Sequence, residues 1–306
     1  MQAADDDWRV VFESRSPAAC REQALVLAAR SVPHRIIHDR TGSALLVTAT
    51  DSARAVAELR QYANENPPQE PKPARRIEWH DARPGVAAYV ALLCLVAWLA
   101  GSAAFGSDWV AAGRVDGVRI REGEWWRLVT ALTLHGDAAH LAGNLGFGSL
   151  FGFFAGRLLG SGAAWLTILV AAAAGNLVNT LLLADTHRSI GASTAVFAAL
   201  GLVAGYVWRA RLMSQEKWVY RLGPVVGGIA LLAYTGMGGG ETAANVDVGA
   251  HVTGFAAGFI AGMLLVGRTA RLGAARLQAA LGGVALGIVA VAWIIGLVAS
   301  RELAIM

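Results

Sequence analysis

The stretch RSIGASTAVFAALGLVAGYVW, from Arg188 to Trp208, starts with polar residues and continues as a long apolar run. It places Ser193 just inside the start of that run. Ser193, Phe197, Gly201 and Gly205 recur every four residues, so a helix would carry them on one face. The stretch therefore predicts a membrane helix with a hydroxyl group near one end and small residues below it.

The composition of the whole chain favours a membrane protein. Of its 306 residues, 55% are hydrophobic and 16% are charged, whereas a soluble domain has about 25% charged residues. The charges crowd into the first 83 residues, which predicts a small polar domain ahead of several membrane spans. The acidic start, with Asp5, Asp6 and Asp7, does not resemble a cleavable signal peptide.

Composition also narrows the expected partners. The two cysteines, Cys20 and Cys94, lie in different regions and give neither a disulfide framework nor a metal-binding spacing. The net charge of +4 is small. We therefore expect no metal, no cofactor and no nucleic acid, and the lipid bilayer as the main surrounding.

Residues 1–66 carry alternating strand and helix patterns in the order βαββα, which predicts a small soluble α+β module. Its histidines, His34 and His38, are expected on a strand surface and not in a metal site. Residues 67–85 then form a proline-rich, basic linker.

The remainder, residues 86–298, predicts an all-α polytopic helix bundle, since a crossing helix needs about 20 mostly apolar residues. Seven transmembrane helices are expected, near 86–105, 138–157, 163–184, 191–208, 223–239, 248–267 and 278–298. The fifth is short and rich in glycine. Lysines and arginines collect before span one, between spans four and five, and between spans six and seven. The positive-inside rule then puts the N-terminal module in the cytoplasm and the C-terminus outside.

Three of these spans place polar side chains at similar depth near their outer ends. They are His140 with Asn144 on span two, Ser193 on span four and His251 on span six. Ionisable groups inside a membrane are costly, and usually face a protein interior or a wet cavity. Small residues at four-residue spacing also follow His251, and such faces let two helices approach closely in lipid. A shared site with Ser193 beside His251 is the prediction.

These side chains suit nucleophilic catalysis. A histidine can take the proton of a serine hydroxyl near neutral pH, and the resulting oxyanion needs fixed donors. His140 and Asn144 share a helix face and both can donate, as can the backbone N–H of Ser193. Asp247 precedes His251 by one turn, but a helix N-cap is its favoured role. The pattern thus predicts a Ser–His dyad.

Four motifs resemble those of the rhomboid family of intramembrane serine proteases. They are GEWWRLVT at 123–130, LHGDAAHLAGN at 134–144, GASTAVFAALG at 191–201 and AHVTGFAAG at 250–258. Their order and their placement on the expected spans also agree with the family, and the seventh span resembles its six-plus-one arrangement. The resemblance covers residues 86–267.

The resemblance implies a role for each matching residue. Ser193 would be the nucleophile, His251 the general base, and His140 with Asn144 would assist the oxyanion. Phe197 would pack against the base, while Trp126 and Arg127 would hold the outer loop. His135 matches a further histidine near the cavity.

One position departs from the family pattern. Thr194 follows the nucleophile where the family most often has glycine. A β-branched side chain there could crowd span six or narrow the substrate groove, or its methyl group could face a permissive neighbour and change only specificity.

The expected function is that of a serine endopeptidase that cleaves single-pass transmembrane proteins in or near their span, in the cell membrane. The alternative is an inactive rhomboid-like protein that binds membrane helices. A proton-coupled transporter is disfavoured because the sequence shows no internal repeat. The substrate, the cleavage site, the oligomeric state and the role of the N-terminal module are not encoded in any motif.

Overall fold

A computed structural model of the chain describes residues 7–39, 42–67, 79–183, 186–213, 226–227, 247–268 and 272–305. The chain divides into two compact units, Met1–Ala74 and Arg75–Met306.

The N-terminal unit contains a three-stranded antiparallel sheet in the order β1-β3-β2 and two helices. Its elements are β1 (Trp8–Ser14), α1 (Pro17–Ala29), β2 (His34–His38), β3 (Ser43–Thr48) and α2 (Ser52–Glu65). Alternate residues of β3 are buried, and Leu45 and Val47 pack with Cys20 and Leu27 of α1. His38 hydrogen-bonds through Nδ1 to the Ser43 hydroxyl at 2.7 Å, so this strand histidine has a local partner.

The second unit is built from helices and two very short strands. These elements are α3 (Arg83–Gly101), α4 (Trp109–Gly113), β4 (Val115–Asp116), α5 (Gly117–Arg121), α6 (Arg127–Thr130), α7 (Ala138–Leu159), α8 (Ser161–Leu182), β5 (Arg188–Ser189), α9 (Ser193–Met213), α10 (Val248–Leu265) and α11 (Ala275–Ile305). Two 3-10 turns, Ala104–Gly106 and Ala131–Thr133, lie between α3 and α7. We call the segment that joins α3 to α7 the outer connection.

Five of the described helices, α3, α8, α9, α10 and α11, are long and apolar enough to cross a membrane. Helix α7 has 22 residues and is also long enough, but His140, Asn144 and its glycines reduce its hydropathy. The predicted fifth span, 223–239, lies outside the described residues apart from 226–227. The expected count of seven therefore stays a prediction.

The first predicted span differs from the helix at its ends. Helix α3 begins at Arg83, with Pro84 in its first turn, where proline leaves no hydrogen bond unmade. It ends at Gly101 and not near 105, because Ala103 and Phe105 adopt left-handed backbone conformations with φ of 45° and 62°. Such conformations cannot continue a right-handed helix.

Helices α9 and α10 make the most extensive helix–helix contact of the unit. At Gly201, Gly258 and Gly262 an added side chain would overlap backbone carbonyl oxygens of the opposite helix, those of Phe255, Ala198 and Leu202. Glycine at these places allows the two backbones to touch, as is typical of helices packed in lipid. These contacts hold α9 and α10 together along their length.

The outer connection holds the entry into α9. Strand β4 pairs antiparallel with β5, and Gly191 donates its N–H to the carbonyl of Ala131 at 3.0 Å. Asp116 accepts a hydrogen bond from Arg188 Nε at 3.1 Å. Burial raises the pKa of Asp116, but the N–H of Arg119 and the charge of Arg188 outweigh it, so the pKa lies below its usual value. The connection between α3 and α7, which was expected as a loop, is thus folded and supports the start of α9.

Candidate active site

Three of the expected site residues lie near the starts of α9 and α10. Ser193 is the first residue of α9, and Phe197 lies one turn further on. The Phe197 ring stacks on the His251 ring of α10, with centroids 4.4 Å apart and planes 25° apart. Phe197 is 2% exposed and His251 is 5% exposed. The imidazole therefore lies against the face of α9 that carries Ser193.

Within the described residues no hydrogen bond joins Ser193 to His251, and the buried Nδ1 atom of His251 has no partner. Catalytic hydrogen bonds are often long without substrate and tighten when it binds. Among the described residues, no carboxylate pairs with this Nδ1 atom to orient the ring.

A space beside Gly191 separates Ser193 from His140. A side chain at Gly191 would begin 2.7 Å from His140 Nε2 and 3.6 Å from Ser193 Oγ. Gly191 also has a φ of 135°, which disfavours other residues. One point in space is therefore adjacent to both a hydroxyl group and an imidazole nitrogen, and only glycine leaves it open.

Asn144 supplies a second buried donor on the same helix face as His140. It is 6% exposed, and its side-chain Nδ2 has no hydrogen-bond partner in the described part of the chain. The hydroxyl of Tyr89 on α3 donates to the Asn144 carbonyl at 2.8 Å, which holds this turn of α7. An unpaired amide inside a protein is costly, so a group that accepts from it would be stabilised.

His135 lies directly before α7 and beside His140, with ring centroids 5.1 Å apart in an edge-to-face arrangement. Burial, and to a lesser degree His140, lowers the pKa of His135 to about 4. His135 is therefore neutral at pH 7. Both of its ring nitrogens are buried and unpaired as far as the structure describes the chain.

Thr194 faces the glycine stripe of α10. It is 4% exposed, and its methyl carbon and carbonyl oxygen lie 2.9 Å and 2.6 Å from where a Gly254 side chain would begin. The missing side chain at position 254 makes room for the threonine. The threonine therefore fills the interface between α9 and α10 opposite a permissive neighbour.

Asp247 anchors the start of α10, the helix that carries His251. Its carboxylate accepts from Ala250 N at 3.0 Å and from the Asn179 amide at 2.9 and 3.0 Å, and His187 Nε2 lies 2.8 Å away. The aspartate is thus the helix N-cap expected from the sequence. It also ties α10 to the end of α8 and to the segment before β5.

We expect Asp247→Ala to destabilise the protein by about 1–3 kcal/mol, because three groups lose their acceptor. Asp247→Asn keeps an oxygen for the N-cap and should lose less. Thermal unfolding of the purified variants in detergent measures both. Equal midpoints for wild type and Asp247→Ala would contradict the anchoring role.

Arg127 is the buried centre of the outer connection. It is 2% exposed, and its Nη1 donates to the carbonyls of Ala111 and Arg114 at 2.9 and 3.0 Å. Its Nε donates to the Glu124 carboxylate at 2.5 Å. This one side chain ties α4 to α6. Trp126 beside it packs against Gly296 of α11, with its indole N–H unpaired among the described residues.

Arg127→Lys should destabilise the protein by about 2 kcal/mol, since an ammonium group cannot reach all three partners of the guanidinium. Arg119→Lys is the matched control, because Arg119 pairs with the same glutamate at 3.3 Å from a side chain that is 41% exposed. An exposed pair contributes little. Unfolding temperatures and proteolysis of the outer connection provide the measurement. Equal losses in the two variants would contradict a special role for Arg127.

Several supporting residues were not predicted from the sequence: Tyr89, Glu124, Asn179, His187 and the open space at Gly191. Tyr89 could have been noticed as a tyrosine inside an apolar span. Asn179, His187 and the space at Gly191 gain their partners from distant segments of the chain, whereas the partners of Glu124 lie three and five residues away. No group of three or more His, Cys, Asp or Glu among the described residues is arranged to hold a metal ion.

Comparison with known proteins shows which family this part of the chain resembles. Residues 122–268 match the profile described as the Rhomboid domain. The chain is 33% identical over 157 residues to the rhomboid protease GluP of Bacillus subtilis (strain 168), which is 51% of this chain and 29% of GluP. It is 30% identical over 155 residues to RHOMBOID-like protein 4 of Arabidopsis thaliana, covering 50% of this chain and 38% of that protein.

A further relative is the B. subtilis protein YdcA, which is 29% identical over 155 residues, 50% of this chain and 73% of YdcA. The chain thus spans less than two fifths of GluP and of RHOMBOID-like protein 4. The matched region contains the outer-loop motif and the helices that carry Ser193 and His251. With five apolar helices among its described residues, the chain is a multi-pass membrane protein. Residues 122–268 are thus similar to the rhomboid family, the family that the four sequence motifs resemble.

Proposed function

We propose that the chain is an intramembrane serine endopeptidase, in which Ser193 is the nucleophile and His251 the general base. The observation that carries the proposal is the stacking of His251 on Phe197 at 4.4 Å, one turn from Ser193, on two helices in backbone contact. The stacking supports a site in which the imidazole and the serine hydroxyl, both near the starts of their helices, act together. A serine needs such a neighbouring base to become reactive.

In the proposed reaction, Ser193 Oγ attacks the carbonyl carbon of a peptide bond while His251 takes the hydroxyl proton. The carbonyl oxygen becomes an oxyanion, which His140, the unpaired Asn144 amide and the Ser193 backbone N–H stabilise. The bond to nitrogen then breaks, and His251 gives its proton to the leaving amine. Water, with His251 again as base, hydrolyses the acyl-enzyme and restores Ser193.

The proposed substrates are single-pass transmembrane proteins. Ser193 and His251 both lie near the starts of apolar helices, so cleavage would occur near one membrane surface. A helical peptide bond is shielded by its own hydrogen bonds, and the substrate must unwind locally before Ser193 can attack. We therefore expect cleavage next to small or helix-weakening residues. Phe197, Thr194 and His135 would shape the cavity, while Trp126 and Arg127 support it.

The proposal includes the arrangement of the chain. Residues 1–66 are the cytoplasmic module, 67–85 the linker and 86–298 the membrane domain, with the C-terminus outside. This topology follows from the distribution of Lys and Arg between the spans. It puts Ser193 near the outer surface.

A serine-reactive fluorophosphonate probe tests the nucleophile without knowledge of a substrate. The wild-type protein should be labelled at one site, and Ser193→Ala should not be labelled. Ser189→Ala is the matched control because Ser189 lies in β5, outside the proposed dyad, and it should label normally. Labelling of Ser193→Ala at the wild-type level would contradict the assignment.

A second candidate function is that of an inactive family member that binds membrane helices. Two observations favour it: no hydrogen bond joins Ser193 to His251, both of which are described residues, and Thr194 stands where the family most often has glycine. The same probe separates the two functions. A folded wild-type protein that is not labelled would support the binding role.

A further inference from the structure

A cavity of about 520 Å³ lies between α3, α8 and α11, away from the proposed dyad. Its walls are mostly apolar and follow α3 from Gly85 to Leu93, α8 from Ser161 to Leu169 and α11 from Ala275 to Val289. Ser193 and His251 do not line it. These three helices are among the five that are apolar enough to cross a membrane, so the cavity lies at bilayer depth.

Four residues with polar side chains lie at one end of this cavity. His80, Asp81, Ser161 and Gln278 line it near the starts of α3, α8 and α11. The Ser161 hydroxyl donates to the Asp81 carbonyl at 2.9 Å, and the Gln278 amide donates to the Leu159 carbonyl at 2.8 Å. This end is built around the last turn of α7. The proposed active site lies at the first turn of α7, at the opposite end.

Two buried nitrogens at the polar end have no hydrogen-bond partner among the described residues. They are His80 Nε2 and Trp165 Nε1, and both residues line the cavity. The indole nitrogen lies beside Gly85 in the first turn of α3. Trp165 stacks on Tyr89 at 4.6 Å, which fixes the direction of its N–H. An unpaired donor is costly at membrane depth, where no bulk water reaches it.

The length of the cavity suits one lipid tail. Fourteen residues separate Ala275 from Val289, which corresponds to about 21 Å along a helix axis. One leaflet of the bilayer hydrocarbon is roughly 15 Å thick, half of the ~30 Å core. The cavity is therefore long enough for the tail of an amphiphile that has acceptor oxygens at one end, and its lining and unpaired donors suit such a molecule.

We propose that this cavity binds one acyl chain of a bilayer phospholipid, with the ester and phosphate oxygens of that lipid at the His80 and Trp165 end. The deep end of the cavity reaches Leu132, Thr133 and Ala195. Ala195 is two residues after Ser193, so the lipid tail packs beneath the helix turn that carries the proposed nucleophile. The proposal itself does not depend on proteolysis.

Photo-crosslinking of the purified full chain tests this site. The probe is phosphatidylcholine with a diazirine in one acyl chain, and excess unlabelled phosphatidylcholine is the competitor. We expect saturable labelling on the cavity-facing residues of α3 and α11. Labelling that does not saturate, or that is displaced by a synthetic transmembrane peptide and not by phosphatidylcholine, would overturn the proposal.

Two variants on neighbouring positions sharpen the test. Ala88 lines the cavity, whereas Ala87 is exposed on another side of the same helix. Ala88→Phe should reduce the saturable labelling about tenfold by occupying the space of the tail, and Ala87→Phe should leave it unchanged. Equal labelling of these two folded variants would exclude the site.

Trp165→Phe is the further variant, in case Ala88→Phe does not fold. It removes the indole N–H and keeps an aromatic ring against Tyr89. We expect weaker competition by phosphatidylcholine, with a several-fold higher concentration needed for half-displacement. If phosphatidylcholine competes equally well in this variant and in the wild type, the indole N–H does not contact the head group, and the inference is contradicted.

Discussion

Ser193→Ala should abolish cleavage of a transmembrane substrate while the protein stays folded and inserted. Without Oγ no acyl-enzyme can form, and loss of a serine nucleophile lowers kcat by as much as about 10⁶-fold in a soluble serine protease. His251→Ala should have a similar effect, because nucleophile and base act as one unit. The two losses should not add in the double variant.

The measurement is cleavage of a single-pass reporter with alanine and glycine at the outer end of its span, reconstituted with the purified protein. Ser189→Ala is again the control and should keep its activity. Gel filtration and thermal unfolding establish that the inactive variants are folded. Unchanged cleavage by Ser193→Ala or by His251→Ala would refute the dyad.

Gly258→Ala should separate the helices that carry the proposed dyad. The added methyl group would overlap the backbone carbonyl oxygen of Ala198 on α9, and a backbone atom inside a helix cannot rotate away. The two helices must move apart, at a cost of about 3 kcal/mol. Because Ser193 and His251 lie on these two helices, probe labelling and cleavage should fall together with stability.

Gly287→Ala on α11 is the matched control for this prediction. The same substitution there meets no atom within 4 Å among the described residues, and alanine favours a helix over glycine by about 1 kcal/mol. Thermal unfolding should therefore show a lower midpoint for Gly258→Ala and an equal or higher one for Gly287→Ala. Equal midpoints for both variants would show that the glycine contact is not required.

The sequence predicted the helices more reliably than their ends. Helix α3 ends at Gly101, several residues before the predicted boundary, because two residues just after it adopt left-handed conformations. Apolar composition cannot indicate such a turn. The short helices of the outer connection depend on the buried Arg127, whose partners lie 3, 13 and 16 residues away.

The sequence predicted which side chains form the candidate site, but it did not predict the distances and contacts between them. The four motifs indicated the rhomboid family, and the family profile confirms that resemblance. The spacing of Ser193, Phe197 and Gly201 indicated which face of α9 would pack. It did not indicate how Thr194 is accommodated, since that depends on Gly254 in another helix.

By itself the sequence determined which segments are apolar helices and which side chains share a helix face, because both follow from neighbours within one or two turns. Only the tertiary structure decided which faces meet. The β4–β5 pair, the Asp247 contacts with Asn179 and His187, and the cavity between α3, α8 and α11 join residues 60 to more than 100 positions apart. Such contacts depend on the path of the whole chain through the bundle, and no local pattern encodes that path.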